Sequence, residues 1–113
     1  MTQHAAAFEW HTIPDLAEIL DLKLSRVRRL IEERHLLAVR REGVLVVPAD
    51  FVRDGEPLKE LRGTIILLAD AGFDDEEILA WLLETDDAIG DTPLNALRAG
   101  RKSEVRRVAQ ALA

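Results

Sequence analysis

Residues 16–47 read LAEILDLKLSRVRRLIEERHLLAVRREGVLVV, and the fold turns on how this stretch is parsed. Just upstream, Thr12-Ile13-Pro14-Asp15 has the form of a helix start, with a threonine cap, proline in the first turn and an acid three residues after the cap. Leu16, Ala17, Ile19 and Leu20 recur at helical spacing, which predicts a first helix over 13–20. Asp21-Leu22-Lys23-Leu24 reads as a turn, and Ser25 as the cap of a second helix over 26–34. On that helix Val27, Leu30 and Ile31 share one side. Ser25 and Arg29 fall roughly opposite, flanked by Arg26 and Arg28.

The spacing between the helices sharpens this reading. A helix-turn-helix places a small residue where its helices cross, a turn residue about four positions later and a β-branched residue about six beyond that. Ala17, Asp21 and Val27 occupy those places. Glycine is usual in the middle position because the turn needs a positive φ. Aspartate tolerates that region better than most residues. Next come two apolar, β-branched runs, 36–41 and 44–47, around Glu42-Gly43, and Pro48 ends them. This is the pattern of a hairpin, and after a recognition helix a hairpin is a wing with Arg40 and Arg41 near its tip.

The formal net charge is −6, yet residues 23–41 carry +5. Residues 1–22 carry −4, residues 42–100 carry −10 and residues 101–113 carry +3. At about 0.15 M salt the Debye length is roughly 8 Å, so a local basic patch acts on a polyanion despite the acidic total. A strongly dipolar molecule is expected.

These residues carry a resemblance. Trp10 through Val52 is similar to the winged helix-turn-helix of excisionase-like and MerR-like proteins, whose pattern L-x-A-V-R-x-x-G-x-x-x-I-P stands here as Leu36 to Pro48, with Val47 in place of isoleucine. Over almost the whole chain the closer resemblance is to small actinobacterial winged-helix DNA-binding proteins with a helical C-terminal domain. It rests in the second half on Leu67, Ala71 to Ile78, Trp81-Leu82, Thr92-Pro93, Ala96-Leu97 and Val105-Arg106-Arg107. The resemblance implies non-catalytic binding of double-stranded DNA. Trp81 to Val105 is also similar, over a short span, to the toxin-binding domain of certain antitoxins.

The expected fold is therefore mainly α with a small β-hairpin wing: a tail over 1–9, a winged helix-turn-helix domain over 10–57 and a helical domain over 58–113. Arg26, Arg28, Arg29 and Ser25 are expected to face the groove, and Lys23, Arg40 and Arg41 to hold phosphates. Trp10 is expected to staple onto the winged core. Residues 48–52 read as a short helical turn, and Arg53-Asp54-Gly55-Glu56-Pro57 as the break between domains. Thr64 to Ala71 is apolar nearly all round, which predicts a buried central helix stopped by Gly72. Asp74-x-x-Glu77 has the form of a capping box, Thr92-Pro93 starts a short helix ended by Gly100, and Ser103 is placed as the cap of the last helix.

At 48 % hydrophobic but 4 % aromatic, the core must be aliphatic. No cysteine is present, which excludes disulfides, thiolate zinc sites and a cysteine nucleophile. His4, His11 and His35 have no metal-ligand spacing, and Asp86, Asp87 and Asp91 lack the order of a calcium loop, so no metal is expected. Neither serine sits in a nucleophile elbow, and no glycine-rich phosphate loop exists, so no enzyme activity and no cofactor are expected. Met1 to Phe8 lacks the basic start and apolar core of a signal peptide, and no run is long and apolar enough to span a membrane. The chain is read as cytoplasmic, without a membrane partner. Two alternatives stand beside DNA regulation. One is an antitoxin-like or adaptor protein whose partner meets an exposed patch at Trp81, Leu94 and Leu97. The other is an excisionase-like architectural factor. Target sequence and oligomeric state are left open.

Overall fold

The computed structural model describes residues 9–113; the expected tail lies outside the described residues except for Glu9, whose carbonyl accepts from the Ala49 N–H at 2.8 Å. The chain divides into two compact units, through Pro57 and from Leu58 onward.

In the first unit, β1 (Trp10–Thr12) leads directly into α1 (Ile13–Leu20), followed by α2 (Leu24–Glu32), β2 (Val39–Arg41) and β3 (Val44–Pro48). A 3-10 turn (Ala49–Phe51) precedes a second, very short hairpin, β4 (Val52–Arg53) and β5 (Glu56–Pro57). The capping box at the start of α1 forms as read: Thr12 Oγ1 accepts from the Asp15 N–H at 3.2 Å, and Asp15 Oδ2 accepts from the Thr12 N–H at 3.0 Å. Hydrogen bonding to the Thr12 backbone N–H, the larger cause, and to the Thr12 side chain holds the Asp15 carboxyl below its usual range. Asp21 takes the left-handed conformation, φ 57°, ψ 51°, as the turn requires.

Three details of α2 and the segment after it depart from expectation. Ser25 is not a cap, since Lys23 takes the N-cap position without a side-chain bond and the helix begins at Leu24. The physical reason is the economy of the turn: once Asp21 has reversed the chain, two residues suffice, and the Arg26 and Val27 N–H groups already reach the Lys23 carbonyl. The helix also stops at Glu32, because Arg34 swings to φ 71°. Its N–H and that of His35 return to the Ile31 and Leu30 carbonyls, closing the helix as glycine usually does. Finally, Leu36, Leu37 and Ala38 are not strand. They are buried as an apolar plug, and pairing starts only at Val39.

The sheet has three strands in the order β1-β3-β2, all antiparallel, so β3 is central. Glu42 (φ 54°) and Gly43 (φ 81°) form its turn; two successive positive φ values match the twist of the flanking strands. The register puts Trp10, Val39, Arg41 and Val46 on one face and His11, Arg40, Leu45 and Val47 on the other. Val46 and Val47 are both buried, so both faces are covered. On the Val46 face the Arg41 guanidinium lies over the Trp10 ring, 5.4 Å from its centre. Trp10 does fold back, as an added edge strand that brings its ring across the sheet. The region expected as a plain break instead makes the β4–β5 hairpin, again with two positive-φ residues, Asp54 and Gly55.

The second unit is four helices: α3 (Leu61–Asp70), α4 (Asp75–Leu83), α5 (Pro93–Arg98) and α6 (Lys102–Leu112). Helix α3 packs on α4 and α6, and α5 on the same two. It is less uniformly buried than its sequence suggests: Leu61, Thr64, Ile65 and Leu68 are inside, whereas Ile66 and Leu67 are half-buried. Gly72 at φ 102° ends the α3 segment, the Asp74–Glu77 capping box closes with bonds of 2.8 and 2.9 Å, and Thr92 caps α5. Ser103 is not the cap of α6, because Arg101 holds that position and pairs with Glu104 at 2.8 Å. That pairing lowers the Glu104 carboxyl and raises the Arg101 guanidinium. Gly63, inside α3, has a packing reason: a Cβ there would collide with the Arg106 guanidinium.

Two outcomes follow for the first unit. The depressed Asp15 carboxyl stabilises the fold fully above the ordinary carboxylate value of 3.8, and that contribution disappears as pH falls through its lower folded value. Acid titration of stability should therefore be shallower in Asp15→Asn, and an unchanged profile would show that the capping carboxylate is not coupled to folding. For the ring–guanidinium pair, a urea-unfolding cycle of Trp10→Leu and Arg41→Ala should give a coupling of about 0.5–1 kcal/mol.

Candidate nucleic-acid interface

The expected interface residues are all exposed and lie on two adjoining pieces of the first unit. Lys23 caps α2 from outside, Ser25 and Arg26 sit in its first turn, and Arg28 and Arg29 follow. Val27 on the opposite side is fully buried, with Leu30 and Ile31 half-buried beside it. The helix is thus held by one apolar side while it presents three guanidiniums on the other. Arg26, Arg28 and Arg29 make no ion pair among the described residues; Glu33, which has helical spacing to Arg29, stands 4.0 Å from the His35 imidazole. Three guanidiniums on a two-turn exposed face attract an anionic partner, since local compensation does not quench them.

At the wing the two arginines part company. Arg40 turns to the hairpin tip, where Nη1 donates to the Gly43 carbonyl at 3.2 Å. Arg41 lies on the opposite face, with Nη1 donating to the Arg40 carbonyl at 2.9 Å and the guanidinium stacked on Trp10. They therefore flank the wing rather than forming one cluster. Residue spacing could show both arginines near the tip; the role of Trp10 depended on the third strand, which only pairing reveals.

The second unit holds no comparable site. Several of its acidic residues are engaged in building local structure. Asp86 accepts from the Trp81 indole N–H at 3.1 Å and from the Ala88 N–H, and Asp91 from the Thr92 N–H at 2.7 Å and from the Asn95 side chain. Among the described residues no group of three or more His, Cys, Asp or Glu side chains could hold a metal, and no helix is long and apolar enough to cross a membrane. Of the three residues expected to form an exposed docking patch, Leu94 and Leu97 are 2 % and 0 % exposed in the core of their own unit, and Trp81 is half-buried beside Phe73 and Leu112.

Comparison with known proteins agrees with this geometry. Residues 5–52 match the family described as DNA-binding protein Rv2175c, winged helix-turn-helix domain, and residues 58–113 match the Rv2175c C-terminal domain of unknown function. The chain is 37 % identical over 116 aligned residues to the DNA-binding protein Rv2175c of Mycobacterium tuberculosis, covering 91 % of this chain and 80 % of the relative. The solution NMR structure of Rv2175c superposes with a TM-score of 0.85 at 35 % identity, over 93 % of this chain and 81 % of that one. The winged helix-turn-helix, the helical second unit and the whole-length similarity place this chain in the Rv2175c family of DNA-binding proteins.

Proposed function

We propose that this protein is a non-catalytic double-stranded DNA-binding protein of the cytoplasm, acting as a transcriptional regulator or nucleoid-associated factor. The observation that carries this reading is the set of guanidiniums, Arg26, Arg28 and Arg29, without an ion pair among the described residues, on the outer side of a helix anchored by Val27 and followed by a wing. The helix enters the major groove, where Arg28 and Arg29 meet base edges and Ser25 and Arg26 share the same surface. Lys23 holds a phosphate at the helix start. Arg40 and Arg41 reach phosphates from the two faces of the wing. No cofactor or metal enters this reading.

Phosphate neutralisation makes the reading quantitative. About five contacts to B-form DNA give a slope of log K against log salt near −4 to −5. Fluorescence anisotropy with a labelled random duplex at about 50 and 200 mM salt should show that steepness, and Arg26/Arg28/Arg29→Ala should abolish it with the fold intact. Salt-independent binding, or a triple variant that binds as wild type, would overturn the proposal.

A further inference from the structure

Leu24 opens α2 with 44 % of its surface exposed, although the sequence pattern would let it join the apolar side. The apolar side of the helix is complete without it, in Val27, Leu30 and Ile31. A single exposed leucine is ordinary on a protein surface. The position of this one is not: it is the first helical residue, next to exposed Ser25 and Arg26 and one turn before exposed Arg28 on the same stripe of the helix. The first turn of a recognition helix is the part that approaches base edges most closely. A leucine there neither donates nor accepts a hydrogen bond. The floor of the major groove carries one apolar feature that such a side chain can match, the C5-methyl group of thymine.

We propose that Leu24 is a specificity-determining residue that packs on a thymine methyl in the major groove, beside the base pair met by Arg28. The inference rests on the DNA-binding reading above and goes beyond it, because charge gives affinity for any duplex whereas this contact selects a base. Leu24 is exposed, so its replacement leaves the core of the first unit untouched, and loss of discrimination is separable from loss of fold.

The test uses the full chain and one chemical change in DNA. Duplexes enriched by wild-type protein from a randomised library are resynthesised with each thymine replaced in turn by deoxyuridine, which keeps pairing and removes only the methyl. At one position the change should weaken wild-type binding about fourfold, the effect of one methyl group removed from an apolar contact. Leu24→Ala should bind the thymine and deoxyuridine duplexes within about twofold of each other there, while Leu24→Met, which keeps an apolar chain, should retain the difference. Salt-steep binding without any methyl effect that depends on residue 24, or enrichment without a preferred site, would overturn the role of Leu24 and leave DNA binding standing. Absence of salt-steep binding altogether would overturn both.

Discussion

Asp21, held at φ 57° and ψ 51°, is the constraint on which the winged unit depends. Its own N–H bonds to the Glu18 carbonyl at 3.2 Å, and the Leu22 N–H to the Ala17 carbonyl at 2.9 Å, so α1 ends and the chain reverses within one residue. Only Leu22 and Lys23 then separate the two helices, which fixes where α2 begins and hence which of its residues face outward. A left-handed conformation is disfavoured for residues with a Cβ, and aspartate is among the few that bear it readily. Arg34 bears the same conformation at the far end of α2 and returns the chain to the buried plug of Leu36, Leu37 and Ala38. The position of the arginine face is thus set by two left-handed residues and one fully buried valine.

How an acidic chain meets a polyanion follows from where charges are used. In the second unit Asp74, Glu77, Asp86 and Asp91 accept backbone or side-chain hydrogen bonds at helix starts and loop corners, and Glu104 pairs with Arg101. On α2 the three arginines remain uncompensated among the described residues. Net charge describes long-range repulsion, which salt screens within about 8 Å at physiological strength. In the proposed interface the guanidiniums of Arg26, Arg28 and Arg29 act at contact distance, where screening is weakest.

Much of this was legible in the residues, for physical reasons. Capping boxes at Thr12 and Asp74, proline at the start of two helices and glycine after α3 and α5 are local signals, complete within about four residues. The Glu42-Gly43 hairpin is equally local. Strand β1 was not legible, because three residues have no period and its partner lies far along the chain. The β4–β5 hairpin was missed because each strand has two residues, although Asp54-Gly55 is the turn pair such a hairpin favours. Ser25 and Ser103 misled as caps, since each lies within two positions of the true helix start and capping preference does not resolve that offset. At the candidate interface the spacing placed the basic residues on the exposed side of the helix. Strand alternation alone puts Arg40 and Arg41 on opposite faces, whereas the meeting of Arg41 with Trp10 depended on the register of the third strand and the exposure of Leu24 on tertiary burial.

The proposed DNA interface is formed by the first turns of α2 together with the wing. The most direct test is a two-dimensional amide-proton and nitrogen NMR titration of the labelled full chain with an unlabelled duplex. Shifts should concentrate at Lys23 to Arg29 and Arg40 to Val44, with amides of residues 58–113 largely unmoved. Shifts concentrated in the second unit, with the α2 amides unchanged, would contradict it.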